Sequence, residues 1–116
     1  MAVRILESIN KSKLREFTKT DYYTYSGAEK LPSGKEPLMA SGEYGDIVVS
    51  GDDENATVQI FIGDGENDKA YGIVDKELSE KDAIEIGEKL AKYLDSSIKN
   101  LTMVAKKLGL KHMFDM

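Results

Sequence analysis

Acidic side chains alternate along Gly63-Asp64-Gly65-Glu66-Asn67-Asp68. Calcium loops present oxygen ligands to a hard cation by that alternation. Counted from Asp64, the helix–loop–helix version wants Gly at the sixth position and Glu at the twelfth. This chain has Lys69 and Asp75 there, and the flanking segments read as strands. A plain hairpin turn is therefore the expectation, with no metal. Asp52-Asp53-Glu54 forms a second acidic turn nearby. Successive turns of a meander fall at opposite ends of the sheet, so the two need not converge on one ion.

Other chemistry finds little support. His112 is the only histidine, and a hydrolase triad also needs a nucleophile on a sharp turn and a carboxylate to hold the base. No Gly-x-Ser-x-Gly occurs. Gly63-x-Gly65 lacks the third glycine and the following helix of a dinucleotide fingerprint. A carboxylate pair working as acid and base has many candidates and no position that singles one out. The chain has no cysteine, which removes disulfides, thiolate catalysis and cysteine zinc sites and fits a cytoplasmic setting. No catalytic residue, metal or cofactor is expected.

Binding is better served. Tyr22, Tyr23 and Tyr25 sit on one extended stretch, beside Lys11, Lys13, Arg15, Lys19 and Lys30. Aromatics on strands stack nucleic-acid bases, but nucleic-acid binding calls for a basic domain. The net charge here is −5. Tyrosine is also favoured where proteins meet, and a protein partner is the stronger expectation. The tail Met113-Phe114-Asp115-Met116 is apolar for its position. It either folds back onto the core or, through Phe114, reaches a partner or a second copy.

Charge is unevenly distributed. Residues 1 to 35 carry 7 basic and 4 acidic groups, residues 36 to 85 carry 3 and 14, and residues 86 to 116 carry 6 and 3. The middle is an acidic block of −11 between two ends of +3. Its turn residues Asp52, Asp53, Glu54, Asp64, Glu66 and Asp68 are candidates for contact with a basic partner.

These residues must be held by a scaffold. Pro37–Ser41, Asp46–Ser50, Ala56–Ile62 and Ala70–Val74 read as strands, as does Asp21–Gly27. Val58, Ile60 and Ile62 share one face of the strongest of them. Short polar turns join the strands, so an antiparallel meander of about five is expected. From Glu80 to Leu108 a stripe at helical spacing contains Ala83, Gly87, Leu90, Leu94, Ile98, Leu101, Ala105 and Leu108. Its phase holds through Asp95-Ser96-Ser97. One long helix is therefore favoured over a helix broken there. Ser79 is placed to cap its start and Gly109 its end, with Leu110 folding back. About 43 Å long at roughly 1.5 Å per residue, such a helix outreaches a small sheet. A short N-terminal helical segment through Leu14 and Phe17 would cover the excess.

The sequence thus predicts an α+β fold in one domain, residues 1–116: the meander packed on one long C-terminal helix, with the N-terminal helical segment beside it. With 116 residues, 41% apolar and 32% charged, the chain can bury one core and stay soluble. No run of about 18 apolar residues exists to cross a membrane. The expected function is a non-enzymatic module that binds a protein partner or, as a homodimer, itself. An acidic inhibitor that mimics nucleic-acid charge, of the kind phages and mobile elements carry, is the alternative by composition. A small carboxylate- or metal-dependent enzyme is the other.

Overall fold

The computed structural model describes residues 14–16, 28–73 and 77–115. They form a six-stranded antiparallel sheet in strict sequence order. Its strands are β1 (Arg15–Glu16), β2 (Leu38–Ser41), β3 (Gly45–Asp52), β4 (Asn55–Ile62), β5 (Lys69–Gly72) and β6 (Lys111–Asp115). Helices α1 (Glu80–Ala91) and α2 (Ile98–Lys107) lie between β5 and β6 in the chain. The α+β meander expected from the sequence is present.

The central hairpin sets the register. β3 and β4 pair over their full length, from Gly45 opposite Ile62 to Asp52 opposite Asn55. Ile47 and Val49 on β3 and Val58, Ile60 and Ile62 on β4 all point to the face that carries the helices, each at most 2% exposed. Ala83, Leu90, Leu94, Leu101 and Ala105 meet them there and are fully buried. Each valine, leucine or isoleucine so buried contributes about 1.5–3 kcal/mol. A smaller cluster of Met39 and Val48, with Ala28 and Phe61 against it, occupies the opposite face.

The helical region departs from the single helix expected. α1 ends with Lys92 as its C-cap, and α2 starts afresh at Ser97, whose hydroxyl accepts from the Asn100 amide at 3.2 Å. The Ser96 hydroxyl donates to the Tyr93 carbonyl at 2.6 Å in the turn between. Serine side chains compete with the backbone for helical hydrogen bonds, and here they close one helix and open the next. The apolar phase survives the break because Leu94 stays fully buried within the turn. The pieces are about 18 Å and 15 Å long, so no overhang needs covering. Ile98, assigned to the buried stripe, is instead 38% exposed at the start of α2.

The predicted helix ends do form. Ser79 accepts from the Asp82 amide at 3.1 Å. Gly109 adopts φ +94°, and its amide donates to Lys106 O while that of Leu110 donates to Ala105 O. That is the paired bonding of a left-handed helix stop, and it turns the chain into β6.

Two further corrections concern the ends of the described chain. Arg15–Glu16 is a strand paired with Met39 and Leu38, so the helical segment expected through Leu14 and Phe17 does not pass through these residues; its remainder lies outside the described residues. The expected strand Asp21–Gly27 lies outside them too. The C-terminal tail does not plug the core: Lys111–Asp115 adds to β5 as the sixth strand. The Pro32-Ser33 loop is tied to α1, the Ser33 amide and hydroxyl each donating at 2.9 Å to the Glu80 carboxylate.

Candidate interaction surface

β6 presents two large apolar side chains to solvent, Met113 and Phe114; Tyr93, Ile98 and Met103 are exposed on the helical side of the chain. Every residue of the strand is exposed. One side pairs with β5, and among the described residues no strand pairs with the other. An unpaired edge offers backbone donors and acceptors in a row, ready for another chain.

The pairing with β5 is irregular. Ala70 stands opposite Phe114 and Tyr71 opposite His112, which leaves Met113 as an extra residue in β6. Such a bulge sets two residues against one and re-aims the side chains around it. Tyr71 pairs with Ile60 and Ala70 with Phe61, so the faces follow from the buried side of β4. His112 lies on the helix face, its ring 5.6 Å from Tyr71 and edge-on to it. Asp115, opposite Lys69, lies on that face as well, and its Oδ1 is 2.7 Å from His112 Nε2. Phe114 lies on the other face, in a row with Ala70 and Phe61. Met113 shares that face: its sulfur accepts from Gln59 Nε2 at 3.7 Å and lies over Gly72, where any Cβ would overlap it. Met113 and Phe114, adjacent in sequence, are 38% and 47% exposed side by side.

The predicted contact residues are not gathered in one place. Tyr22, Tyr23 and Tyr25 lie outside the described residues. Asp52, Asp53 and Glu54 are exposed at the β3–β4 turn, with Asp53 in the left-handed region at φ 57°. Asp64, Glu66 and Asp68 are at the β4–β5 turn. The eight residues of β4 separate the two turns, about 25 Å at roughly 3.3 Å per residue. The acids therefore do not form one contiguous surface. In the second turn the carboxylates serve their own backbone: Asp68 Oδ1 accepts from the Gly65 amide at 2.8 Å, and Asp64 Oδ1 from that of Glu66 at 3.1 Å. Among the described residues no three His, Cys, Asp or Glu side chains are grouped to hold a metal.

Phe114 is the predicted contact residue that the fold places on an apolar exposed patch. The sequence reading missed that its tail is a strand and that a bulge lays Met113 alongside it. The alternation that identifies strands is broken by that bulge, so the run Lys111-His112-Met113-Phe114-Asp115 carries no strand signature.

A second concavity lies between α2 and the β4–β5 turn. It encloses about 380 Å³ and is lined by Ile62, Asn67, Lys69, Tyr71, Ile98 and Lys106 among others. Tyr71 joins its floor to the His112–Asp115 pair. It opens to solvent, and its mixed lining includes the ammonium groups of Lys69 and Lys106 and the Asp64 carboxylate. No helix of the described residues is long and apolar enough to cross a membrane.

Compared with known protein families, curated proteins and solved structures, the chain matches none.

Proposed function

We propose that this protein is a non-enzymatic binding module whose contact element is β6. The observation that carries the reading is a strand exposed along its length, whose outer edge no strand of the described residues pairs, with Met113 and Phe114 side by side on one face. Adding a strand to an exposed edge is a general mode of protein recognition. Main-chain hydrogen bonds supply affinity and the side chains supply selectivity. Aromatic and methionine side chains are enriched where proteins meet. On the face of Phe114, the row continues through Ala70 to Phe61 and then toward the Met39–Val48 cluster. The partner's side chains would therefore extend an existing apolar layer.

His112 and Asp115 fit this role without chemistry of their own. The pair stands in solvent, 47% and 68% exposed in its side chains, and packs on Tyr71. The contact with Asp115 orients the ring beside Tyr71.

The test is a selection of displayed random peptides on the purified protein. Extended, apolar peptides are expected, with binding reduced about tenfold or more by Phe114→Lys. That loss corresponds to about 1.4 kcal/mol. Peptides that bind Phe114→Lys as well as the unaltered chain would refute β6 as the contact element.

A further inference from the structure

We infer that the partner of β6 is β6 of a second copy of this chain, paired antiparallel about a two-fold axis that passes between Met113 and Phe114. The inference rests on the reading of β6 as the contact strand and goes beyond it by naming the occupant and the register.

In an antiparallel pair, residues directly opposite each other project to the same side of the sheet. Along β6, His112 and Asp115 project to the helix face, as their 2.7 Å contact shows. Met113 and Phe114 project to the other face, over Gly72 and opposite Ala70. The order is helix face, open face, open face, helix face. It reads the same in both directions about the midpoint of Met113 and Phe114. A regular strand alternates faces at every step, so it meets the bulge two against one and leaves a side chain unopposed, as β5 leaves Met113. A second β6 carries the same irregularity. Turned about the two-fold axis, it sets Met113 opposite the partner's Phe114 and Phe114 opposite the partner's Met113.

The chemistry matches as well as the geometry. Sulfur against an aromatic ring is a favourable contact, and this register makes it twice once each Met113 side chain turns from Gly72 toward the partner's Phe114. On the helix face, His112 comes opposite the partner's Asp115, and Asp115 opposite the partner's His112. Each imidazole then has a carboxylate on its own strand and another across the interface, so no like charges of these residues face each other. The self-complementary patch is what a closed two-fold interface requires. An edge blunted by charge and a bulge also discourages indiscriminate pairing, which leaves the matched bulge as the fitting partner. The result is one sheet that runs through both copies, with the helices of both on the same side.

Light scattering over micromolar to millimolar concentration reads the mass. The expected result is a dimer that dissociates on dilution. Phe114→Lys should weaken it by about thirtyfold, the size of a central contact residue's effect. Both Phe114 and Met113 are exposed, and unchanged circular dichroism would confirm that their variants fold. Register is read by cross-linking, because the chain has no other cysteine. A mixture of Met113→Cys and Phe114→Cys should form the mixed disulfide in preference to either homodimer. A monomer at every concentration overturns the inference. So does a dimer untouched by Phe114→Lys, or homodimeric cross-links that match the mixed one. A monomer whose selected peptides still depend on Phe114 would defeat the second copy as occupant while leaving β6 as the contact strand. Peptides that ignore Phe114 would defeat both.

Discussion

His112 and Asp115 are three residues apart on a strand, yet Nε2 of one lies 2.7 Å from Oδ1 of the other. Strand alternation alone would send them to opposite faces. The extra residue Met113 reverses the parity once, and that single reversal also puts Met113 beside Phe114. The polar pair on one face and the apolar pair on the other have the same cause.

The polar pair should matter little to stability. Both side chains are about half exposed or more, and exposed ion pairs contribute about 0–1 kcal/mol. His112→Ala also gives up the edge contact with Tyr71, worth about 0.5–1.5 kcal/mol when well packed. Urea unfolding of His112→Ala should show a loss of about 1 kcal/mol. A loss above about 3 kcal/mol would mean that the pair holds β6 in place.

Ser97 sets the start of α2. Ser97→Ala should cost about 1 kcal/mol, as for other helix caps. The helices should nevertheless remain separate, since Leu94 anchors the turn between them. Backbone chemical shifts over residues 92–97 would report this. Continuous helical shifts through that stretch would show that the serines alone cause the break.

The turn between the helices belongs to the core. Leu94 is as fully buried there as Leu101 within α2. Leu94→Ala should therefore cost about 2–5 kcal/mol, in the range for buried leucines, and Leu101→Ala a similar amount. A cost for Leu94→Ala under about 1 kcal/mol in denaturant titration would contradict that placement.

The β2–β3 turn sits against that same leucine. A Cβ at Gly42 would lie 2.6 Å from Leu94 O and 2.9 Å from Leu94 Cβ. The first of these is backbone and cannot rotate away. Gly42→Ala should destabilise by about 1–3 kcal/mol, as overpacking does. An unchanged midpoint in urea would show that the inter-helix turn yields freely.

The Gly63–Asp68 turn should ignore calcium. One oxygen of Asp64 and one of Asp68 already accept backbone amides. Millimolar calcium is expected to leave the melting temperature unchanged, whereas a ligand at a hundred times its Kd would add about 2.7 kcal/mol. Asp68→Ala should cost about 1 kcal/mol through the lost amide bond, with faster hydrogen exchange at Gly65. A calcium-dependent rise in melting temperature that Asp68→Ala abolishes would restore the metal reading.

The meander was legible because its signals are local. Val58, Ile60 and Ile62 alternate with more polar neighbours, polar turns separate the strands, and each turn falls where its strands end. The helix ends at Ser79 and Gly109 were legible for the same reason: each depends on side-chain or backbone bonding within one turn. The break at Ser96-Ser97 was harder to see. Helical periodicity records which residues face the core, and a turn that buries Leu94 preserves the phase. Of the contact residues, Phe114 was marked by its apolar tail, but its surroundings were not.

What the sequence determined by itself was the set of elements: four central strands, their buried face, two capped helix ends and an acidic middle. Local propensity and spacing suffice for these, because each involves residues within one turn or one strand. Only the tertiary structure decided that the tail becomes β6 and that Met113 bulges from it. Those outcomes follow from register against β5, set by partners some forty residues away in the chain. No local pattern encodes that register, and one extra residue within it settles which side chains face solvent together.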